Sequence, residues 1–117
     1  MREPDFPGAL EVVATRRFFQ ALAARDPARL AELLAPAPRF ENVDGPIAVE
    51  GRAALAHSLV GREEGVEYAL AEVEASPGQA RARFLLLVDG VPGSIVLDAQ
   101  LSFAEGLIAA IRVVPPE

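Results

Sequence analysis

The sequence predicts an α+β fold, with three amino-terminal helices laid on a curved and mainly antiparallel sheet. Three observations carry this reading. Apolar residues recur at spacings of three and four through the first third of the chain, the period of a helix with one buried stripe. From Gly65 onward they alternate instead, as in strands with one face on a core. Between the alternating runs stand Ser76-Pro77-Gly78, Asp89-Gly90-Val91-Pro92-Gly93 and Glu105-Gly106, turn clusters that fold consecutive strands back on one another.

The first helix is expected from Gly8 to Arg25, with Leu10, Val13, Ala14, Phe18, Ala21 and Leu22 as its buried stripe and Arg16 and Gln20 on the wet side. Asp26-Pro27 starts a second helix, the aspartate accepting from free N–H groups and the proline preset for the first turn. Leu30, Leu33 and Leu34 face inward, and Pro36 and Pro38 stop the helix. Arg39 to Val43 reads as a short strand with Phe40 and Asn42 on one face and Glu41 on the other. Asp44-Gly45-Pro46 is a turn, and Ile47 to Glu50 a second short strand. Gly51 to Leu59 or Val60 forms the third helix, with Leu55 and Leu59 one turn apart and Gly61 closing it.

Four strands follow. Gly65 to Ala75 is the first, although its Glu and Ala residues would also suit a helix. Gln79 to Val88 returns with Ala82, Phe84, Leu86 and Val88 on one face. Ser94 to Phe103 sets Ile95, Leu97, Ala99, Leu101 and Phe103 against Ser94, Val96, Asp98, Gln100 and Ser102. Leu107 to Val114 is the last, ended by Pro115-Pro116.

Composition narrows the function. The 117 residues suit one domain, and 51% hydrophobic with 24% charged residues fits a globule with a generous core. The net charge is −6 and the arginines are scattered, which argues against nucleic acid, whose phosphates demand clustered positive charge. The longest apolar run, Phe84 to Val88, is too short for a bilayer, so no membrane partner is expected. The opening MREPDFPG has no apolar core of a secretory signal, and the cytoplasm is the default location. All eleven basic residues are arginine and there is no cysteine, so neither a thiolate nucleophile nor a lysine Schiff base is possible. A single histidine, His57, rules out a multi-histidine metal site within one chain. No metal and no cofactor are expected.

The phrases FFQALAARDPARLAELLAP (18–36), RFEN (39–42), EGRAALAHSLVG (50–61) and EGLIAAIRVV (105–114) resemble, in order and spacing, the SnoaL-like branch of the NTF2-like superfamily. The resemblance covers nearly the whole chain, 1–117, as a single domain. It implies a cone in which the sheet wraps the first helix and leaves a cavity for a substrate or ligand. In relatives similar to ketosteroid isomerase, a tyrosine, a catalytic aspartate and a protonated aspartate do the chemistry. Their places fall on Phe18, Asn42 and Ala99, which lack the needed groups, since a phenyl ring cannot donate and a carboxamide is no base near neutral pH. Relatives similar to limonene-epoxide hydrolase need an Arg-x-Asp, absent here, and a second aspartate that falls near Val113. Polyketide cyclases of the branch use an acid/base aspartate. Asp98 is the one aspartate inside an expected strand, and its parity puts it on the outer face, away from a cavity.

The expected function is therefore the binding of a small, mostly apolar molecule by Phe18, Leu22, Phe40, Asn42, Leu55, Leu59, Phe84, Leu86, Ala99 and Leu101, with no recognisable catalytic set. Two alternatives stand beside it: an enzyme of cyclase, isomerase or hydrolase type using other residues, and a dimerisation module whose cone its own phenylalanines fill. Asn42 could reach a ligand or bond local backbone beside the Asp44 turn. His57 and the acids Glu63, Glu64, Glu67, Glu72 and Glu74 read as solvated surface. On the outer sheet face Leu85, Leu87, Val96, Ile108 and Val114 stand among Arg81, Arg83, Asp98, Gln100 and Arg112. Apolar area of that kind is usually covered, so a homodimer through this face is expected, with an Arg–Asp98 pair near the contact.

Overall fold

The structure, a computed structural model, describes residues 7–43, 45–46, 50–61 and 65–116. Helix α1 (Ala9–Ala24) is followed by α2 (Pro27–Leu33), strand β1 (Leu34–Asn42), the two-residue β2 (Gly45–Pro46) and α3 (Arg52–Val60). Strands β3 (Val66–Ser76), β4 (Gln79–Val88), β5 (Ile95–Ala104) and β6 (Leu107–Val114) complete the chain. The six strands form one sheet in the order β2-β1-β6-β5-β4-β3. It is mixed, because β1 runs parallel to β6, while the other described pairings are antiparallel. The three helices cover one face, α1 lying along β3 and β4, and α2 packing on α1 and α3. The expected α+β class and the helix-to-strand order hold.

Local chemistry explains the joints. Asp26 caps α2, its Oδ1 accepting from the Arg29 N–H at 3.1 Å, with Pro27 in the first turn. Arg25, in left-handed geometry at φ 52°, donates to the Val60 and Val66 carbonyls and ties the end of α1 to the end of α3 and the start of β3. Gly8 caps α1 against the end of β3, and the Glu11 carboxylate accepts from the Gly78 N–H at 3.3 Å in the following turn.

Several expectations are corrected. In α1 Leu10 is 71% exposed, whereas Thr15 and Phe19 are buried with Phe18, Ala21 and Leu22. Thr15 satisfies its hydroxyl within the helix by donating to the Glu11 carbonyl at 2.7 Å. The second helix ends at Leu33, and β1 begins at Leu34 instead of Arg39. The prolines sit inside β1, where its ladder with β6 jumps from Leu34↔Ile108 to Arg39↔Ala110 and leaves the missing N–H groups without consequence. Gly45 and Pro46, expected as a turn, pair with Asn42 and Glu41 as β2. Most of the expected strand from Ile47 to Glu50 lies outside the described residues, and Glu50 itself is not in a strand.

Ile108, expected on the outer face, is fully buried in the core. Ser102 pairs with Ala110 but Phe103 with Ile108, so Ala109 is the extra residue of a bulge. A one-residue insertion reverses the faces of everything beyond it. A second bulge at Ala71, between the Leu70↔Phe84 and Glu72↔Arg83 pairs, bends β3 in the same way. Such bulges curl the sheet toward the helices, and the core lies in that curl.

Candidate functional site

Between the helices and the inner sheet face lies a cavity of about 110 Å³. Eight of the ten expected residues line it: Phe18 and Leu22 from α1, Phe40 and Asn42 from β1, Leu59 from α3, Phe84 and Leu86 from β4, and Ala99 from β5. Leu55 and Leu101 do not line it; both are buried in the surrounding core, 0% and 2% exposed. Phe19, Tyr68, Leu97, Ile111 and Val113 complete the wall. Ile111 and Val113 share the inward parity of β6, and Tyr68 that of β3, so alternation carried their signal. Phe19 follows Phe18 by one helical step of ~100° and had no such signal.

The floor is aromatic. Phe18 and Phe19 meet edge to face at 5.5 Å between centroids, Phe19 lies 5.3 Å from Phe84, and Tyr68 lies 5.7 Å from Phe84. Phe18, Phe19 and Phe84 thus stack on one another, with Tyr68 against Phe84. What remains has room for a few water molecules at ~30 Å³ each, and falls short of the ~300 Å³ of a typical drug-sized pocket. Larger depressions, lined by Glu74, Arg81, Gln100 and Arg112 among others, lie open on the outer sheet face.

Among the described residues of the lining, Asn42 and Tyr68 alone have polar side chains, and none is Asp, Glu, Arg or His. Asn42 is exposed at the mouth, and its Oδ1 accepts from the Val43 N–H at 2.8 Å. The local backbone bond is thus present. Phe18 and Ala99 lie deeper, 3% and 2% exposed. His57 is exposed on α3, as are Glu67, Glu72 and Glu74 on β3. Glu63 and Glu64 lie outside the described residues. No group of three or more His, Cys, Asp or Glu side chains converges among the described residues as a metal site would need.

Asp98 stands on the outer face, as parity predicts, opposite Arg83 on the neighbouring strand. It is 3% exposed and held by a bidentate pair, Arg83 Nε to Oδ1 at 3.0 Å and Nη2 to Oδ2 at 3.2 Å. Hydrogen bonding to Asp98, then its charge, raises the Arg83 pKa above its ordinary value. A raised arginine stays protonated below its unfolded value, so this contribution is lost only in strong alkali. The sheet itself separates Asp98 from the cavity, so it cannot act there. Leu85, Leu87, Val96 and Arg112 occupy the same outer face, by their pairings Leu85↔Val96, Glu67↔Leu87 and Gln100↔Arg112.

Residues 15–111 match the family model of the SnoaL-like domain. No curated protein matches the sequence significantly. Among solved structures, the chain is similar to a candidate ketosteroid isomerase from Kribbella flavida, with a TM-score of 0.82 at 20% identity over 94% of this chain and 80% of that one. It is similar to an NTF2-like protein of unknown function from Mesorhizobium loti, with a TM-score of 0.79 at 23% identity over 98% of both chains. A candidate SnoaL-like polyketide cyclase from Jannaschia sp. CCS1 gives a TM-score of 0.76 at 15% identity over 97% of this chain and 90% of that one. At such identities the structural likeness establishes the fold alone.

Proposed function

The chain belongs to the SnoaL-like domain family, and from that premise we propose that it binds a small, mostly apolar molecule in the cavity between its helices and sheet, with no recognisable catalytic set among the described residues. The observation that carries this reading is the described lining: thirteen residues, of which Asn42 and Tyr68 alone have polar side chains and none is Asp, Glu, Arg or His. Apolar walls with a few polar groups are what a ligand site requires. Acid/base catalysis requires more, a titrating group within reach of the substrate. The enzyme reading is favoured by the names of the similar proteins, but the described lining offers no carboxylate or imidazole to serve as a base, only the Tyr68 hydroxyl. The filled-cone reading is favoured by the aromatic stack, and the remaining 110 Å³ weighs against it.

The test is a thermal-shift and native mass-spectrometry screen with neutral hydrophobic compounds, on the wild type and on Ala99→Phe, which places a ring in the cavity. Ligand at ten times Kd should add about 1.4 kcal/mol of stability, or roughly 5 °C in Tm. The shift should vanish in a folded Ala99→Phe. A wild type that shifts with no compound would sink the reading.

Two copies, in the same proposal, meet through the outer sheet face. Its support is the apolar set Leu85, Leu87 and Val96 beside the Arg83–Asp98 pair and Arg112, with Leu87 and Val96 36% and 37% exposed.

A further inference from the structure

We propose that Tyr68 sets the upper size limit of the ligand, confining the site to neutral molecules of about one ring. The inference rests on the ligand-binding reading above and adds a substrate class and a specificity-determining residue to it.

Two spaces meet at this side chain. The inner cavity measures about 110 Å³, and a cleft of about 220 Å³ lies between α1, α3 and the start of β3. Leu22, Leu59 and Tyr68 line both, so they form the partition. Leu22 and Leu59 are buried in the core at 8% and 5% exposure, and their removal would open it. Tyr68 is half-buried on β3, which stands at the end of the strand order with a neighbour on one side only. Its ring rests against Phe84 at 5.7 Å with the planes 57° apart. Truncating Tyr68 would therefore join the spaces while removing a partly buried side chain at the edge of the core, not a fully buried one. Joined, they reach the lower end of the ~300–1,000 Å³ typical of ligand pockets, whereas the inner cavity alone has the scale of the ~150 Å³ apolar cavity that takes benzene.

Charge is restricted as well. The described lining of the inner cavity presents no Asp, Glu, Arg or His, so a carboxylate or ammonium placed against it would be buried without an ionic partner there, which costs far more than a neutral polar group. The exposed carboxamide of Asn42 marks the mouth as the place for a single hydroxyl or carbonyl.

The experiment is a chemical-shift titration of isotope-labelled protein with phenol, benzoate and 1-naphthol, on wild type, Tyr68→Ala and Ala99→Phe. In the wild type phenol should bind at least about tenfold more tightly than either benzoate or 1-naphthol. In Tyr68→Ala the affinity for 1-naphthol should rise by about tenfold or more, past that for phenol. If Tyr68→Ala does not fold, Tyr68→Leu asks the same question with an apolar side chain at the strand position. Wild type that takes 1-naphthol as readily as phenol, or a folded Tyr68 variant with no gain, overturns the size limit while leaving cavity binding in place. Benzoate binding equal to phenol overturns the restriction to neutral ligands. Phenol binding that survives unchanged in folded Ala99→Phe, or no binding of any probe to any variant, overturns both the inference and the reading beneath it.

Discussion

Replacing Gly8 by alanine tests whether α1 is seated on the end of β3, the contact that aims Phe18, Phe19 and Leu22 at the cavity. Gly8 caps the helix at φ 85°, in the left-handed region, where an L side chain costs roughly 1–2 kcal/mol. A Cβ there would stand 2.6 Å from the carbonyl carbon and oxygen of Ala75 and 2.8 Å from the Ser76 nitrogen. Ordinary carbon contacts lie at about 3.5–4.0 Å. Backbone atoms cannot turn aside as a long side chain can, so helix or strand must move by about an ångström, an overpacking cost of ~1–3 kcal/mol. The expected loss is about 2–5 kcal/mol in all. Gly78→Ala is the control, because Gly78 has φ 83° and nothing within 4 Å of the added atom. It should carry the conformational cost alone. With m of ~1.5 kcal/mol/M in urea, the two midpoints should differ by roughly 1–2 M. Equal midpoints would refute the seating of α1 on Ala75.

Leu30, fully buried beneath α2, should cost about 2–5 kcal/mol as Leu30→Ala in the same urea assay; a loss under ~1 kcal/mol would mean that α2 is not part of the core. Asn42→Ala should leave the midpoint within ~0.5 kcal/mol, since its described bond is the exposed one to Val43. It should also weaken phenol more than toluene in titration, and equal weakening would remove Asn42 from the polar end of the ligand. For the outer face, light scattering at micromolar concentration should give a dimer mass for wild type and a monomer mass for Leu87→Glu combined with Val96→Glu. A monomeric wild type contradicts the interface.

Most of the fold was legible because it rests on local signals. Asp26-Pro27 and Gly51 placed the starts of α2 and α3, and the turn clusters placed all three hairpin reversals from β3 to β6. The errors come from places where tertiary pairing overrides a local rule. Pro36 and Pro38 do break the helix, yet nothing in the sequence says that the chain is already extended at Leu34, because the irregular pairing of β1 with β6 decides that. Ile108 fell on the wrong face because alternation counts residues and a bulge adds one. Leu10 fits the helical period of α1 but is 71% exposed, although its neighbours Gly8 and Glu11 meet the end of β3 and the turn after it.

The site was legible wherever it lies on regular strand. Phe84, Leu86 and Ala99 follow from alternation alone, and Phe18 and Leu22 from the helical stripe. Leu55 and Leu101 were assigned to the wall because parity reports which face a residue takes, not how deep it sits. Whether space remains inside the cone depends on how Phe18, Phe19, Tyr68 and Phe84 pack together, a three-dimensional matter that no spacing encodes.

The two faces of the sheet divide the chemistry of this chain. Glu41, Glu72, Glu74, Arg81, Arg83, Asp98 and Arg112 all lie on the outer face, joined across neighbouring strands as Arg81–Glu74 at 2.9 Å, Arg83–Glu72 at 3.7 Å, Arg83–Asp98 at 3.0 Å and Arg112–Glu41 at 3.4 Å. The exposed pairs among them, Arg81–Glu74, Arg83–Glu72 and Arg112–Glu41, add little to stability one by one, while Asp98 is buried. Their effect is on register: a strand slipped by one residue would turn these charges into the core, at a cost no exposed pair could offset. The same alternation that fixes the sheet therefore keeps the carboxylates and guanidinium groups of these strands off its inner face. Glu41 and Asp98 each stand between two residues of the cavity lining, and both are committed to arginines on the other side of the sheet, Glu41 to Arg112 and Asp98 to Arg83.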